Sequence, residues 1–364
     1  MDSLAERYAQ WQAQNRATIT EMQSLEQENN RLFIDAYGLQ GELTPDVPLE
    51  QITLTVNPKY RYGGKLSEAA LENRFQSDTL AELISYAIGC MMGRYRLDKA
   101  GLIYAHAGNK DFNTIYDSQA EPVGWVSDSV TQQIEATNDG LRDKAASPSD
   151  AENPFLPDND GIIPLTDQEW FADDATLRFA EFVRAAWGEE NQQQNLDFIA
   201  ESLGLYAIKL KNSETSLDAI RRYLSTQFYK DHLKTYKKRP IYWLFSSGKQ
   251  KAFECLVYLH RYNESTLSRM RTEYVTPLLG KYESSAMVLQ KQIEEASSTA
   301  EANRHKKSLT ALEKKQTELS EFDDKLKHAA DMRISLDLDD GVKVNYGKFG
   351  DLLADVKAVT GKKA

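Results

Sequence analysis

The strongest constraint on the fold is a long helical pattern between residues 263 and 332. Apolar residues recur there at steps of three and four, at Leu267, Met270, Tyr274, Leu278, Leu289, Ile293, Leu309, Leu312, Leu319, Phe322 and Leu326. Such steps predict long packed helices. The pattern loses register between residues 297 and 305, so one continuous rod and two antiparallel helices both fit it. We favour the two-helix hairpin, as a spacer that contributes little to the rest of the fold.

Helical patterns also cover much of the preceding chain. Residues 3–31 are polar, free of Pro and Gly, and carry apolar residues at amphipathic spacing. A more apolar helical pattern covers residues 75–95, and helical spacing returns over residues 167–203. Most of the chain is therefore expected to be helical.

Strand patterns are short by comparison. Ile52, Leu54 and Val56 alternate as one face of a strand, and residues 241–245 form an aromatic and β-branched run. Residues 333–344 alternate around an Asp-Asp-Gly turn, which predicts a β-hairpin before a short terminal helix. The predicted fold class is mainly α with short β-strands (α+β).

The composition indicates an ordinary globular protein with an acidic balance. Of its residues 41% are hydrophobic and 27% charged, and the net charge is −11. The longest apolar stretch, residues 80–92, is interrupted by Glu82 and is too short to span a bilayer, and the sequence starts without an apolar signal region. Cys90 and Cys255 lie in apolar patterns, which is typical of buried reduced thiols. We therefore expect a cytoplasmic protein without membrane contact.

A basic segment interrupts this acidic chain. Between residues 201 and 282 there are 15 Lys and Arg against 7 Asp and Glu, a local net charge of +8. Within it, residues 229–262 mix cations with aromatic rings, a combination suited to phosphates and bases. The candidate nucleic-acid-binding residues are Lys230, Lys234, Lys237, Lys238, Arg239, Tyr242, Lys249, Lys251 and Arg261.

The local pattern of this basic stretch predicts helix, strand, turn and helix. Pro240 restricts Arg239 to an extended conformation, so a helix carrying the first lysines stops there. A strand over residues 241–245 would then place basic side chains at both of its ends. The alternative is that Trp243 and Phe245 are core residues and the cations are solvated charge at a helix end.

Catalytic and metal motifs are weak. Residues 57–60, Asn-Pro-Lys-Tyr, are similar to the Asn-Pro-Pro-aromatic loop that holds the target base in adenine methyltransferases, but Lys59 replaces the second proline. No glycine-rich strand-to-helix turn precedes them, so a plain strand-end turn is favoured. The five histidines are scattered, and the acidic turns lack the ligand spacing of a calcium loop. We therefore assign no catalytic, cofactor-binding or metal-binding residue.

Several blocks nevertheless resemble one family. They are NNRLFIDAYGLQGELTPDVPLEQITLTVNPKYRYG, ISYAIGCMMGRYRLDKAGLIYA, DNDGIIPLTDQEWF, YKDHLKTYKKRPIYWLFSSGKQKAFECLVYLHRYN and LDLDDGVKVNYGKFGDLLA. In this order they resemble the carboxy-terminal part of the PglX family, the adenine-specific DNA methyltransferases of BREX phage-exclusion systems. The resemblance covers most of the chain.

The resemblance implies a division of labour. In the family a Rossmann-like methyltransferase domain that binds S-adenosylmethionine lies upstream of these blocks, so we expect no cofactor in this chain. The expected role is target recognition on double-stranded DNA, in partnership with the upstream methyltransferase domain and other BREX proteins. The alternative is a non-enzymatic helical scaffold that binds other proteins of the same defence system.

With this role in view, the chain divides into five predicted regions. They are a helical connector with a short strand (1–116), an acidic loop region (117–160), a helical DNA-recognition region with the basic aromatic stretch (161–262), a long, coiled-coil-like helical spacer (263–332), and a β-hairpin with a short terminal helix (333–364).

Overall fold

A computed structural model of the chain describes residues 2–63, 66–117 and 155–361. The described residues are mainly helical and include one small three-stranded antiparallel sheet. The predicted fold class is therefore confirmed. Most of the predicted acidic loop region lies outside the described residues.

The chain divides into two compact units whose segments alternate along the sequence. The described residues of the first unit are 2–63, 66–86 and 182–220, and those of the second are 87–117, 155–181 and 221–361. As domain boundaries, the five ranges drawn from the sequence remain predictions.

The first unit is built on one long helix, α1 (Leu4–Tyr37). Ser3 caps its start in a reciprocal arrangement with Glu6, and Gly38 ends it with a left-handed backbone, φ 69°. Near the start, the ring of Trp11 stacks on Phe75 with centroids 5.7 Å apart. The other helices wholly or partly in this unit are α2 (Pro58–Tyr62), α3 (Glu68–Met91), α5 (Ala175–Trp187), α6 (Gln192–Tyr206) and α7 (Ser216–Tyr223).

The strand predicted at Ile52, Leu54 and Val56 is wrong. A 3₁₀ turn, Leu49–Gln51, precedes these residues, and a backbone hydrogen bond from Leu54 to Ile52 continues the local turn. Ile52 is buried against Ile19 of α1. Ile52 and Leu54 thus pack against α1, and the backbone of this segment pairs with no other strand among the described residues.

The sheet lies in the second unit. Strand β3 (Glu254–Tyr258) is central and pairs antiparallel with β1 (Ile162–Pro164) and β2 (Tyr242–Ser246). Every residue of the three strands is buried. The helix predicted after the turn that follows β2 is therefore wrong, because the apolar run in this position forms a strand paired on both edges.

Seven α-helices of the described residues complete the second unit besides the parts of α3, α5 and α7 that it contains. They are α4 (Phe112–Asp117), α8 (Tyr229–Thr235), α9 (Thr266–Arg269), α10 (Thr276–Glu294), α11 (Thr299–Asp331) and α12 (Gly341–Gly347), followed by the terminal α13 (Val356–Thr360). Two π-helical segments, Leu224–Phe228 and Met270–Val275, lead into α8 and α10.

Helices α10 and α11 pack on each other, joined by residues 295–298. The predicted two-helix hairpin is therefore confirmed, but the expectation that it contributes little to the fold is wrong. Tyr282 and Phe322 are buried, the Tyr282 hydroxyl donates to Ala252 O at 2.7 Å, and the Phe322 ring lies 6.1 Å from that of Phe253. The base of the hairpin is thus part of the core beside the sheet.

The β-hairpin predicted for residues 333–344 is also wrong. A 3₁₀ turn, Leu338–Asp340, leads into α12, and the Asn345 amide donates to the carbonyls of Asp337 and Gly341. These local hydrogen bonds favour a helical turn over the strand pairing suggested by the alternation. Leu353 then forms an isolated bridge with Phe245 of β2.

Candidate nucleic-acid interface

The basic stretch begins with α8 and a tight turn after it. Lys238 N donates to Leu233 O at 2.7 Å, and Arg239 N donates to Tyr236 O at 2.8 Å. Lys237 and Lys238 both have left-handed backbones, with φ of 49° and 62°. This conformation normally favours glycine or asparagine. Two consecutive lysines of the turn thus have a left-handed backbone conformation, in which the Cβ atom of a non-glycine residue is crowded.

His232 fixes the entry from this turn into β2. Its Nε2 accepts hydrogen bonds from the backbone N–H groups of Ile241 and Tyr242, each at 3.2 Å. Nε2 can accept both only when it carries no proton. Burial, together with the nearby charge of Arg94, lowers the pKa of His232 to about 3. The neutral imidazole therefore positions the start of the strand.

The ring of Tyr242 belongs to a buried cluster under the turn. It lies 4.9 Å from the His232 ring and 5.6 Å from Tyr258, and the residue is only 1% exposed. Arg94 in the same cluster donates to the hydroxyls of Tyr258 and Tyr95, at 2.9 and 3.1 Å. Tyr242 cannot stack on a base from this position. The alternative interpretation of the aromatic residues, as core, holds for it and for the rest of β2.

Arg261 is likewise a structural cation. Its guanidinium donates to the carbonyls of Asp158 and Asn159 at 2.6 and 2.8 Å, and to Asn109 Oδ1 at 3.2 Å. The group also lies over the Phe112 ring, 3.8 Å from its centroid, and the residue is 1% exposed. Each of its three guanidinium nitrogens donates to a protein oxygen and the residue is buried, so we remove Arg261 from the candidate interface.

Lys249 and Lys251 lie in the turn between β2 and β3. The Lys251 ammonium donates to Glu254 Oε2 at 2.9 Å and to Ser225 O at 2.6 Å. Lys249 is exposed and has no ion pair within the described part of the chain. Of the two, only Lys249 presents an uncompensated charge.

A carboxylate from the helical hairpin holds this turn in place. Glu318 of α11 accepts hydrogen bonds from Ser247 Oγ at 2.8 Å, Gln250 N at 2.7 Å and Ala252 N at 3.3 Å. These hydrogen bonds hold the chain before and after Lys249. The helical hairpin therefore shapes the turn that displays Lys249.

Six of the nine candidate residues share one property: they are exposed, and no ion pair to a carboxylate joins them within residues 2–63, 66–117 and 155–361. We call these cations the basic surface: Lys230, Lys234, Lys237, Lys238, Arg239 and Lys249. Five lie on α8 and the turn before β2, and Lys249 lies past its other end. The strand predicted between them forms, with five of these cations before it and one after it.

The chain has relatives among curated proteins. It is 55% identical over 338 residues to adenine-specific methyltransferase BrxX of Escherichia coli O9:H4 (strain HS), covering 93% of this chain and 25% of that protein. It is 36% identical over 356 residues to adenine-specific methyltransferase PglX of Lacticaseibacillus casei (strain Zhang), covering 97% of this chain and 24% of that protein. The resemblance to PglX is thereby confirmed.

The matches cover only part of each relative. The chain spans about a quarter of the length of the curated relatives it matches, which is consistent with a carboxy-terminal part of PglX. No family model matches the chain.

The residues of this chain that are similar to a methyltransferase base-holding loop have a structural role. Asn57 caps α2, where its Oδ1 accepts from Lys59 N at 3.1 Å. Its amide donates to Leu49 O at 2.7 Å and to Ile52 O at 3.0 Å, and the residue is 2% exposed. Asn57 therefore has no free group to offer a base, and the segment is a helix cap where the sequence suggested a strand-end turn.

Three residues that organise the basic surface were missed by sequence reasoning. His232 was noted only as one of the five scattered histidines, and neither Arg94 nor Glu318 was among the candidate residues. Arg94 and Glu318 contact segments far away in the chain, and His232 contacts residues only nine and ten positions ahead, but no local motif marks any of the three. The described residues hold no group of three or more His, Cys, Asp or Glu that could bind a metal, and no helix among them could cross a membrane.

Proposed function

We propose that this chain is the DNA-binding, target-recognition region of an adenine-specific DNA methyltransferase of a BREX phage-resistance system. The observation that carries the proposal is the basic surface, where six exposed cations lack carboxylate partners in the described part of an otherwise acidic chain. The names of the two relatives, both adenine-specific methyltransferases, support DNA as the substrate class.

The physical basis is electrostatic. Each lysine or arginine that neutralises a phosphate releases a condensed counterion, so affinity rises with the number of contacts and falls with salt. In a protein of net charge −11, binding to DNA requires such a local patch, because the rest of the molecule repels phosphate. The six unpaired cations can move to phosphates without first breaking ion pairs.

The length of β2 is comparable with a dimension of duplex DNA. Strand β2 has five residues and spans about 13 Å at about 3.3 Å per residue. It separates the turn carrying Lys237 and Lys238 from the turn carrying Lys249. This length is close to the width of the major groove, about 12 Å. The two turns could thus contact phosphates on either side of one groove.

In this proposal, methyl transfer takes place outside the basic surface. S-adenosylmethionine and the catalytic loop would belong to a methyltransferase domain of the longer protein, and this chain would hold the duplex so that one adenine reaches that domain. Other BREX proteins would be its partners in the cytoplasm.

The test is the salt dependence of duplex binding, measured by fluorescence anisotropy. We expect the double variant Lys237→Ala and Lys238→Ala to lower the log–log slope by roughly 1.8, since each lost phosphate contact removes about 0.9. The matched control is Lys306→Ala with Lys307→Ala, another exposed lysine pair, on α11. An unchanged slope in the first variant, or an equal loss in the control, would rule out the basic surface as the DNA contact. If the wild type has no duplex affinity but still binds defence-system proteins, the scaffold alternative is correct.

A further inference from the structure

The second half of α1 displays an apolar seam to solvent. Leu25 and Leu32 are 60% and 62% exposed, and Asn29 and Ala36, also exposed, alternate with them at steps of four and three. Together with half-buried Met22, these residues occupy the a and d positions of a heptad repeat. Such spacing is what one helix presents to another in a coiled coil. We call the five residues from Met22 to Ala36 the α1 seam.

Beyond Met22, the seam residues lie on a different face from the one that α1 uses within its own unit. Gln23 donates to Val47 O at 2.7 Å, Asn30 donates to Pro45 O at 3.3 Å, and Ile34 is buried. At about 100° per residue, these positions point roughly half a turn away from Leu25 and Leu32. Met22, at the start of the seam, also packs against the buried cluster of Ile19, Val47 and Ile52, whereas Leu25 and Leu32 are left exposed.

One edge of the seam is uniformly acidic. Glu21, Glu28 and Asp35 recur every seven residues, at the g position of the heptad, and all three are exposed. Glu28 pairs with Arg31, but both side chains are 55% exposed, so the pair is weak and easily exchanged. Flanking charges of this kind select partners in coiled coils. An acidic flank selects a partner helix with basic flanking residues.

A second copy of this chain would fit the seam poorly. In an antiparallel pair the g residues face each other, so the three carboxylates would meet carboxylates. In a parallel pair Glu21 would face Glu26, another acid at an e position, and Glu28 would face the apolar Phe33 at the next e position. Like charges oppose either arrangement, and the exposed Asn29 in the seam further restricts register. A heterologous helix is the occupant that the charges favour.

We propose that the α1 seam binds an amphipathic helix that has apolar seam residues and Lys or Arg at its flanks, and that lies in the additional polypeptide of the longer relatives. Those relatives extend well beyond the quarter of their length that this chain matches, which supplies the polypeptide for such a helix. The identity of the partner rests on the proposed methyltransferase function, whereas the contact itself requires no DNA.

The first test uses the part of E. coli BrxX outside the matched region, purified separately, with binding to the full chain followed by surface plasmon resonance. We expect binding that weakens at least about tenfold in Leu25→Asp with Leu32→Asp, and that also weakens with rising salt. The matched control is Met287→Asp with Val288→Asp, which places the same charges on exposed apolar residues of α10. Circular dichroism confirms that both variants fold.

A second experiment tests which flanking charge the seam prefers, independently of the protein that supplies the partner helix. It is a peptide of about 28 residues with Leu at a and d and Lys at e and g, compared with a peptide carrying Glu at e and g. We expect the Lys peptide to bind the wild type at least tenfold more tightly than the Glu peptide, and the Leu25→Asp, Leu32→Asp variant to lose this binding.

Three outcomes would overturn the proposal. They are failure of the wild type to bind the BrxX segment, binding of that segment undiminished in the seam variant, and a wild-type dimer in analytical ultracentrifugation that the seam variant abolishes. Binding of the Lys peptide without the BrxX segment would overturn the assignment of the partner. The salt slope of duplex binding, measured on the same variants, distinguishes these results from failure of the DNA proposal, since the seam variant is expected to keep that slope.

Discussion

Lys237 and Lys238 place two long cationic side chains where the backbone favours glycine. A left-handed conformation costs a non-glycine residue roughly 1–2 kcal/mol, because Cβ crowds the following carbonyl. Both residues have φ in this range and both are exposed. Neither side chain gains burial that would offset the strain, which is consistent with a role for their charge outside the fold.

This arrangement predicts opposite changes in stability and in binding for Lys238→Gly. Relief of the left-handed strain, reduced by the greater freedom of glycine in the unfolded chain, is expected to stabilise the protein by roughly 0.5–1 kcal/mol. Duplex affinity is expected to fall, since one phosphate contact is lost. Urea denaturation and anisotropy check the two changes. A loss of stability would show that the Lys238 side chain supports the fold.

His232 makes the entry to the basic surface sensitive to acid. Its folded pKa, about 3, lies below the ordinary value of about 6.5, so its contribution to stability is present above pH 6.5 and is lost as pH falls toward 3. Burial and the Arg94 charge also lower the pKa of His260, to about 4, which adds a loss in the same direction. Burial and Asp158 raise the pKa of Asp160, which acts oppositely.

Comparison with His232→Gln isolates the contribution of His232. Between pH 7 and pH 5 the wild type is expected to lose on the order of 2 kcal/mol of unfolding free energy more than the variant. The glutamine carbonyl can still accept a backbone N–H but does not titrate. Urea denaturation at the two pH values measures the difference. Equal losses in both proteins would show that folding does not lower the pKa of His232.

At the scale of elements, the helical hairpin and the sheet depend on each other. Glu318 accepts two backbone N–H groups and one hydroxyl from the turn between β2 and β3. Gly248 in this turn has φ 133°, and a Cβ there would lie 3.1 Å from Glu318 Oε2. The turn and the helix therefore fit closely, and the position of Lys249 depends on α11.

Removal of the Glu318 carboxylate is expected to loosen this turn. Glu318→Ala leaves the N–H groups of Gln250 and Ala252 without their acceptor, which should destabilise the protein by about 1–2 kcal/mol. Amide hydrogen exchange at Gln250 and Ala252 should accelerate. Glu313→Ala, at an exposed site on the same helix, is the matched control and should change neither quantity. Unchanged exchange in Glu318→Ala would contradict the coupling.

The sequence predicted elements well where the pattern was long and poorly where it was short. The steps of three and four gave α10 and α11 and the break between them, because a long amphipathic helix leaves a repeated signal. The apolar run of β3 fits a buried helix as well as a strand, and only its two neighbouring strands decide the matter. Residues 333–344 alternate like a hairpin, yet hydrogen bonds of Asn345 favour helical turns from residue 338 onward.

The candidate site likewise contains residues whose environment could be predicted from the sequence and residues whose environment could not. Exposure of the lysines could be predicted, because a cation without a nearby acid in sequence tends to remain in water. Burial of Tyr242 and Arg261 could not, since it arises from Arg94, Asp158 and Asn159, which lie far away in sequence. Local composition identifies a basic segment, but only tertiary contacts separate its structural cations from its free ones.

At the scale of the whole molecule, each unit offers a surface of a different kind. The second unit carries the basic surface, and the first carries the α1 seam with its acidic flank. The two surfaces differ in charge, so they are suited to different partners: phosphates for one, a basic helix for the other. This division fits a chain that would hold DNA while attached to a larger methyltransferase.

The central claim is that duplex DNA contacts the basic surface, and lysine footprinting tests it most directly. The chain is acetylated briefly with and without duplex DNA, and the modification of each lysine is measured by mass spectrometry. We predict protection of Lys230, Lys234, Lys237, Lys238 and Lys249, while Lys306 and Lys307 on α11 remain as reactive as in the free protein. Unchanged reactivity of the five basic-surface lysines at saturating DNA, or protection confined to lysines elsewhere, would contradict the account.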